Sequence, residues 1–166
     1  MKKITAFCIA LALVFGLAAC GQSGQTQPDT TAAEAAAAMQ SAQEWLSFLK
    51  SRLPFDDQMN DTDTAAAIYG ITEEDGYTGD CAMCISTMAT PEEIAVFRID
   101  SVYSADALCD LANARIEQQK ASYASYAPQE VPKLESAVVK VCGDYVIVCV
   151  CADNALAAQV IDDAAG

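Results

Sequence analysis

AVVKVCGDYVIVCVC, running from Ala137 to Cys151, reads as two β-strands joined by a two-residue loop. Gly143-Asp144 puts glycine first, as a type II′ hairpin turn requires. That loop sets Val141 opposite Val146, Val139 opposite Val148 and Ala137 opposite Val150, so one face of the hairpin is wholly apolar. Such a face calls for a helix layer above it. The other face carries Val138, Lys140, Cys142, Tyr145, Ile147, Cys149 and Cys151. No two cysteines stand directly opposite in this register, which argues against a bridge across the hairpin.

Working outward, Asn154 to Ala164 follows as a helix, and an earlier segment repeats the order. Cys81 to Met88 and Ile94 to Ser101 read as strands joined by a tight turn at Thr90-Pro91-Glu92-Glu93. Ala105 to Tyr126 then reads as a helix. Leu108, Leu111, Ala112, Ile116 and Tyr123 form its core stripe, and Ser104 is placed to cap it, with Asp106 in the first turn. EIAVFRID followed by ADALCDLANA resembles DYVIVCVC followed by ADNALAAQVI, which hints at a distant internal duplication. Ala32 to Leu53 forms a further helix, alanine-rich at its start and stopped by Pro54. The fold class is therefore α+β. A four-stranded, largely antiparallel sheet arises from a β-β-α-β-β-α order, with the helices packed on one face and an N-terminal helix in front. Residues 32–166 make one domain. On the second face of the sheet, Ile94, Val96, Val138, Tyr145 and Ile147 are too apolar to be left bare. The first helix, through Trp45 and Leu49, is expected to cover them; a partner chain is the alternative.

The start of the chain has a different character. Lys2 and Lys3 precede an apolar run from Ile4 to Gly16, shorter than the ~20 residues of a spanning helix. Leu17-Ala18-Ala19-Cys20-Gly21 closes it and looks like a bacterial lipobox. Residues 1–19 are thus expected to be a signal peptide, and Cys20 a lipidated cysteine. Residues 20–31 would be a flexible tether of Gly, Gln, Ser, Thr and Pro. Two acyl chains anchor a protein stably where one is marginal. The expected location is the extracytoplasmic side of the cell membrane.

Composition narrows the partners. Lys2 and Lys3 leave with the leader, so 7 of the 9 Lys and Arg remain against 23 Asp and Glu, a net charge of −16. That excludes nucleic acid, whose phosphates need clustered cations, and opposes adsorption to anionic headgroups. The chain has no histidine, so Ser-His and Cys-His nucleophile pairs and imidazole metal sites are ruled out. No catalytic constellation and no cofactor motif is recognisable.

Six cysteines remain beyond Cys20: Cys81, Cys84, Cys109, Cys142, Cys149 and Cys151. Cys81-Ala-Met-Cys84 has the spacing of a redox pair, which makes Cys81 and Cys84 the candidate thiol or disulfide residues. On a strand, however, residues three apart point to opposite faces. A zinc site built from Cys81, Cys84, Cys149 and Cys151 would need a turn at that spot. The favoured expectation is small apolar filler. The acidic connection from Pro54 to Asp80 contains Asp61-x-Asp63, two EF-hand positions, but Ala65, Ala66 and Thr72 stand where ligands or glycine belong. No metal site is expected there. A helical turn at Ala65 to Tyr69 is expected within it.

Five pieces of the chain resemble a known family: LPF at 53–55, IYGI at 68–71, ATPEEIAVF at 89–97, PQEVPKLESAVV at 128–139 and GDYVIV at 143–148. From about Trp45 to Asp163 the chain is similar to the bacterial lipoprotein family called domain of unknown function 4358. The resemblance implies an envelope lipoprotein of Gram-positive anaerobes and a single ectodomain, and it carries over no catalytic residues. The cysteine motifs are not part of it. The expected function is a non-catalytic binding module for an envelope protein or small ligand. A thiol–disulfide enzyme or thiolate metal protein using Cys81 and Cys84 is the alternative.

Overall fold

The computed structural model describes residues 39–165. The expected leader, Cys20, the tether and the first turns of the expected N-terminal helix lie outside them. The described chain folds as α1 (Ala42–Lys50), β1 (Asn60–Thr62), α2 (Ala65–Ile68), β2 (Cys81–Ile85) and β3 (Glu93–Arg98). Then come α3 (Ala105–Tyr126), α4 (Val131–Glu135), β4 (Val138–Cys142), β5 (Tyr145–Val150) and α5 (Asn154–Ala165). The strands form one antiparallel sheet in the order β1-β2-β3-β5-β4.

The hairpin has the expected register, with Val139 paired to Val148 and Val141 to Val146. Gly143 takes a φ of 56°, the left-handed value that suits glycine at the first loop position. Ser104 caps α3 by accepting from the Ala107 amide at 3.2 Å, and the helix spans the expected residues.

Two expectations need correction. The sheet has five strands, because Asn60–Thr62 adds an edge strand to β2, with Asp61 paired to Cys84. A three-residue polar segment shows no alternation, so sequence pattern cannot flag it. The helices also pack on both faces rather than one. Met83, Ala95, Phe97, Val146, Val148 and Val150 meet α3 through Leu108, Ala112 and Ile116. On the reverse side, Cys84, Ile94, Val96, Tyr145, Ile147 and Cys149 meet α1 and α5 through Trp45, Leu46, Leu49, Ala157 and Ile161. The physical cause is β5: every one of its residues is buried, and a strand apolar on both faces needs cover on both.

The first helix does cover the second face, but α5 shares the task. It begins at Ala42, capped by Ser41, and ends at Lys50, short of Pro54. Placing α3 and α5 on opposite faces also breaks the duplication. Two β-β-α halves meeting through antiparallel β3 and β5 would be related by an axis normal to the sheet, which leaves both helices on one face.

Candidate functional site

At the turn between β2 and β3 two glutamates, Glu92 and Glu93, are each only 1% exposed. A buried carboxylate is tolerated only when paired and hydrogen-bonded, and each of these is. Glu93 begins β3 and faces α3. It accepts from Arg115 Nε at 3.0 Å and Nη2 at 2.5 Å, from Gln119 Nε2 at 3.1 Å and from the Tyr69 hydroxyl at 2.8 Å. The Arg115 guanidinium also lies 5.3 Å from the centre of the Tyr69 ring, within cation–π range. Burial raises the Tyr69 phenol well above its ordinary pKa, so it stays a hydrogen-bond donor.

Glu92 uses a different set. It accepts from the backbone amides of Asp56 and Asp57 at 3.0 and 3.1 Å and from Thr90 Oγ1 at 3.0 Å. Lys133 Nζ lies 3.4 Å from Glu92 and 2.7 Å from Asp56. Lys133 is also 3.0 Å from Glu130 Oε2, an ion pair without hydrogen-bond geometry. One carboxylate thus ties the segment after Pro54, the β2–β3 turn and α4 together.

The turn itself is held from several sides. Ser86 Oγ donates to the Thr90 carbonyl, as does the Tyr123 hydroxyl, each at 2.5 Å. The Thr87 hydroxyl donates to the Asp57 carboxylate, which lowers the Asp57 pKa. Within this frame Met88 adopts a φ of 72°, a left-handed conformation costing a non-glycine residue roughly 1–2 kcal/mol. Its side chain is 73% exposed.

Between this turn and the C-terminal half of α3 lies a cleft of about 320 Å³, near the lower end of the usual range for small-ligand sites. Glu93, Arg115 and Gln119 contribute polar lining. Ile68, Ile85, Met88, Tyr123 and Tyr126 contribute apolar lining. The Tyr123 and Tyr126 rings lie 4.8 Å apart, centre to centre. Gln119 must turn its NH2 to the Glu93 carboxylate, which only accepts. Its Oε1 is left buried with no donor, an arrangement native interiors rarely leave without a reason.

The thiols are elsewhere. Cys84 is buried in the layer under α1, whereas Cys81 packs into the layer under α3. The two therefore lie on opposite faces of β2. Burial raises both thiols, Cys84 to about 11, the reverse of what a nucleophilic thiolate needs. Cys149 and Cys151 share the α1 face with Cys84, so the four-cysteine zinc set is split by the sheet. Cys149 and Cys151 interact: their mutual hydrogen bond raises Cys149 and lowers Cys151. All six cysteines are free. Among the described residues no group of three or more candidate ligands could hold a metal ion. Asp61 lies on edge strand β1 and is taken by Lys50 Nζ at 2.6 Å, with Asp63 just past the strand's end.

Residues 52–151 match the family described as Domain of unknown function (DUF4358). The chain belongs to this family. The match contains every piece quoted from the sequence, and four of the five, all but GDYVIV, meet at the two glutamates. Tyr69 of IYGI and the PEE pair itself make the Glu93 network. The amides just after LPF and Lys133 of the PQEVPK segment complete the Glu92 network. Helices α1 and α5 fall outside the match, so the DUF4358 part supplies the sheet, α3 and the cleft, while flanking sequence covers the second face. No curated protein and no solved structure matches the chain. No helix among the described residues is long and apolar enough to cross a membrane.

Proposed function

We propose that this DUF4358 protein is a non-catalytic binding module, tethered to the extracytoplasmic face of the membrane by lipid on Cys20. Its ligand site is the cleft between the β2–β3 turn and α3. The observation that carries the site is the unpartnered Gln119 Oε1 beside that cleft. A buried acceptor without a donor costs about 1–3 kcal/mol, which an arriving donor recovers. The surrounding frame is preorganised by two closed carboxylate networks, the condition under which a small site binds without paying for its own ordering. The tether reading rests on the leader and the Leu17-Ala18-Ala19-Cys20 pattern.

Two experiments test the two halves. Cys20→Ala is expected to move the protein out of the membrane fraction, and unchanged membrane retention contradicts lipid anchoring. A ligand-observed NMR screen of small fragments against the full chain is expected to give hits that Met88→Ala and Tyr126→Ala weaken. Hits indifferent to both substitutions, or no hits, contradict the cleft as the binding site.

A further inference from the structure

We infer that the cleft selects a small organic cation that carries at least one N–H and an apolar body, such as a primary alkylammonium. This rests on the cleft being the binding site, and three independent features of it point to that ligand chemistry.

The first is the hydrogen-bond balance. Gln119 Oε1 can only accept, and its orientation is imposed by the Nε2 contact to Glu93 at 3.1 Å. A carboxylate or phosphate brings no donor for it and adds a second negative group beside Glu93. The second is charge. Glu92 and Glu93 are two carboxylates in the lining of the cleft, against one cation, Arg115. Arg115 is already engaged by Glu93, so the local excess is negative. The whole chain carries −14, and a field of that sign raises the local concentration of cations. The third is the aromatic pair. Tyr123 and Tyr126 line the cleft, and Tyr126 is 59% exposed at its mouth. Ring faces hold an alkylammonium by cation–π attraction and its carbon body by contact. Met88, 73% exposed, also lines the cleft and adds a flexible apolar contact for the carbon body.

The test is calorimetric titration of the full chain with four probes sharing one phenylethyl body. They are phenethylammonium, its N,N,N-trimethyl analogue, 2-phenylethanol and 3-phenylpropionate. The primary ammonium is expected to bind most tightly, the quaternary analogue about tenfold more weakly because it cannot donate, and the carboxylate weakest. Gln119→Leu is expected to abolish the tenfold gap between primary and quaternary probes while leaving the melting transition cooperative. Equal or tighter binding of the carboxylate overturns the inference, as does a primary–quaternary gap that survives Gln119→Leu. If alcohol and carboxylate bind the cleft as well as the ammonium, the cation assignment fails and the binding site stands. If none of the four binds, both fail.

Discussion

Glu92 and Glu93 are adjacent in the chain, both sealed from solvent, and share no hydrogen-bond partner. Glu93 holds α2's end and α3 through Tyr69, Arg115 and Gln119, whereas Glu92 holds the segment after Pro54 and α4 through the Asp56 and Asp57 amides and Lys133. Two consecutive side chains therefore lock four separated stretches around the cleft.

Breaking the first lock should be costly. Arg115→Met leaves Glu93 buried without its counter-charge and is expected to destabilise the fold by about 3–5 kcal/mol. Replacing both partners, Glu93→Leu with Arg115→Met, should recover much of that loss, because the desolvation of both charges disappears together. Urea denaturation of the two variants checks the pair. A double variant no more stable than the single one contradicts the account.

The second lock is testable locally. Glu92→Gln keeps the shape but removes the charge that faces Lys133 and weakens acceptance from the Asp56 and Asp57 amides. Amide hydrogen exchange at those two positions is expected to speed up by at least tenfold, while α5 remains protected. Unchanged protection at Asp56 and Asp57 would show that other contacts hold this segment.

Much of this architecture is legible in the residues alone. The β4–β5 register follows from one glycine and a strict alternation, and α3 follows from Ser104 and the Leu108–Ala112–Ile116 stripe. The first helix on the second face follows from the apolar Ile94, Val96, Tyr145 and Ile147, whereas α5's place beside it is hidden by the alternation of β4, although YVIVCV at β5 has no polar face. The glutamate networks were not legible. Thr90-Pro91-Glu92-Glu93 has the composition of an exposed turn, and apart from Thr90 the partners of its glutamates lie more than twenty residues away. The only hint was scarcity: with so few basic residues in so acidic a chain, Arg115 and Lys133 were worth pairing with a carboxylate.

The thiols should behave as packing groups. Cys84, Cys142, Cys149 and Cys151 are buried, and Cys81 and Cys109 are half-buried. A thiol reagent applied to the folded protein is expected to modify only Cys81 and Cys109, and to reach the other four only on unfolding. Mass spectrometry after mild oxidation should show no Cys81–Cys84 bridge. Rapid formation of that bridge would restore the thiol–disulfide reading.

The pH profile has two limits with opposite signs. Asp57 is held below its ordinary 3.8 by the hydrogen bond from Thr87. A depressed carboxylate stabilises above its unfolded value and loses that contribution as pH falls through the lower folded value, so the turn loosens only under acid. Cys84 is pushed from 9.0 to about 11 by burial. Its contribution is complete below 9.0 and is lost as pH rises through about 11. Stability measured across pH is expected to be flat between these limits. Burial raises Cys81 and Cys142 as well, so Cys84→Ala should make the alkaline slope shallower without removing it, and an unchanged slope would assign the loss to those other groups.

The most direct test of the cleft is methyl NMR of the full chain labelled at its methionines, titrated with phenethylammonium. Met88 lines the cleft and is exposed, while Met83 is buried in the layer beneath α3. With the ligand in the cleft, the Met88 methyl is expected to shift saturably with Met83 unmoved, and to lose that shift in Tyr126→Ala. Binding that moves Met83 or no methionine at all, with Met88 silent, would place the ligand elsewhere and contradict the central claim.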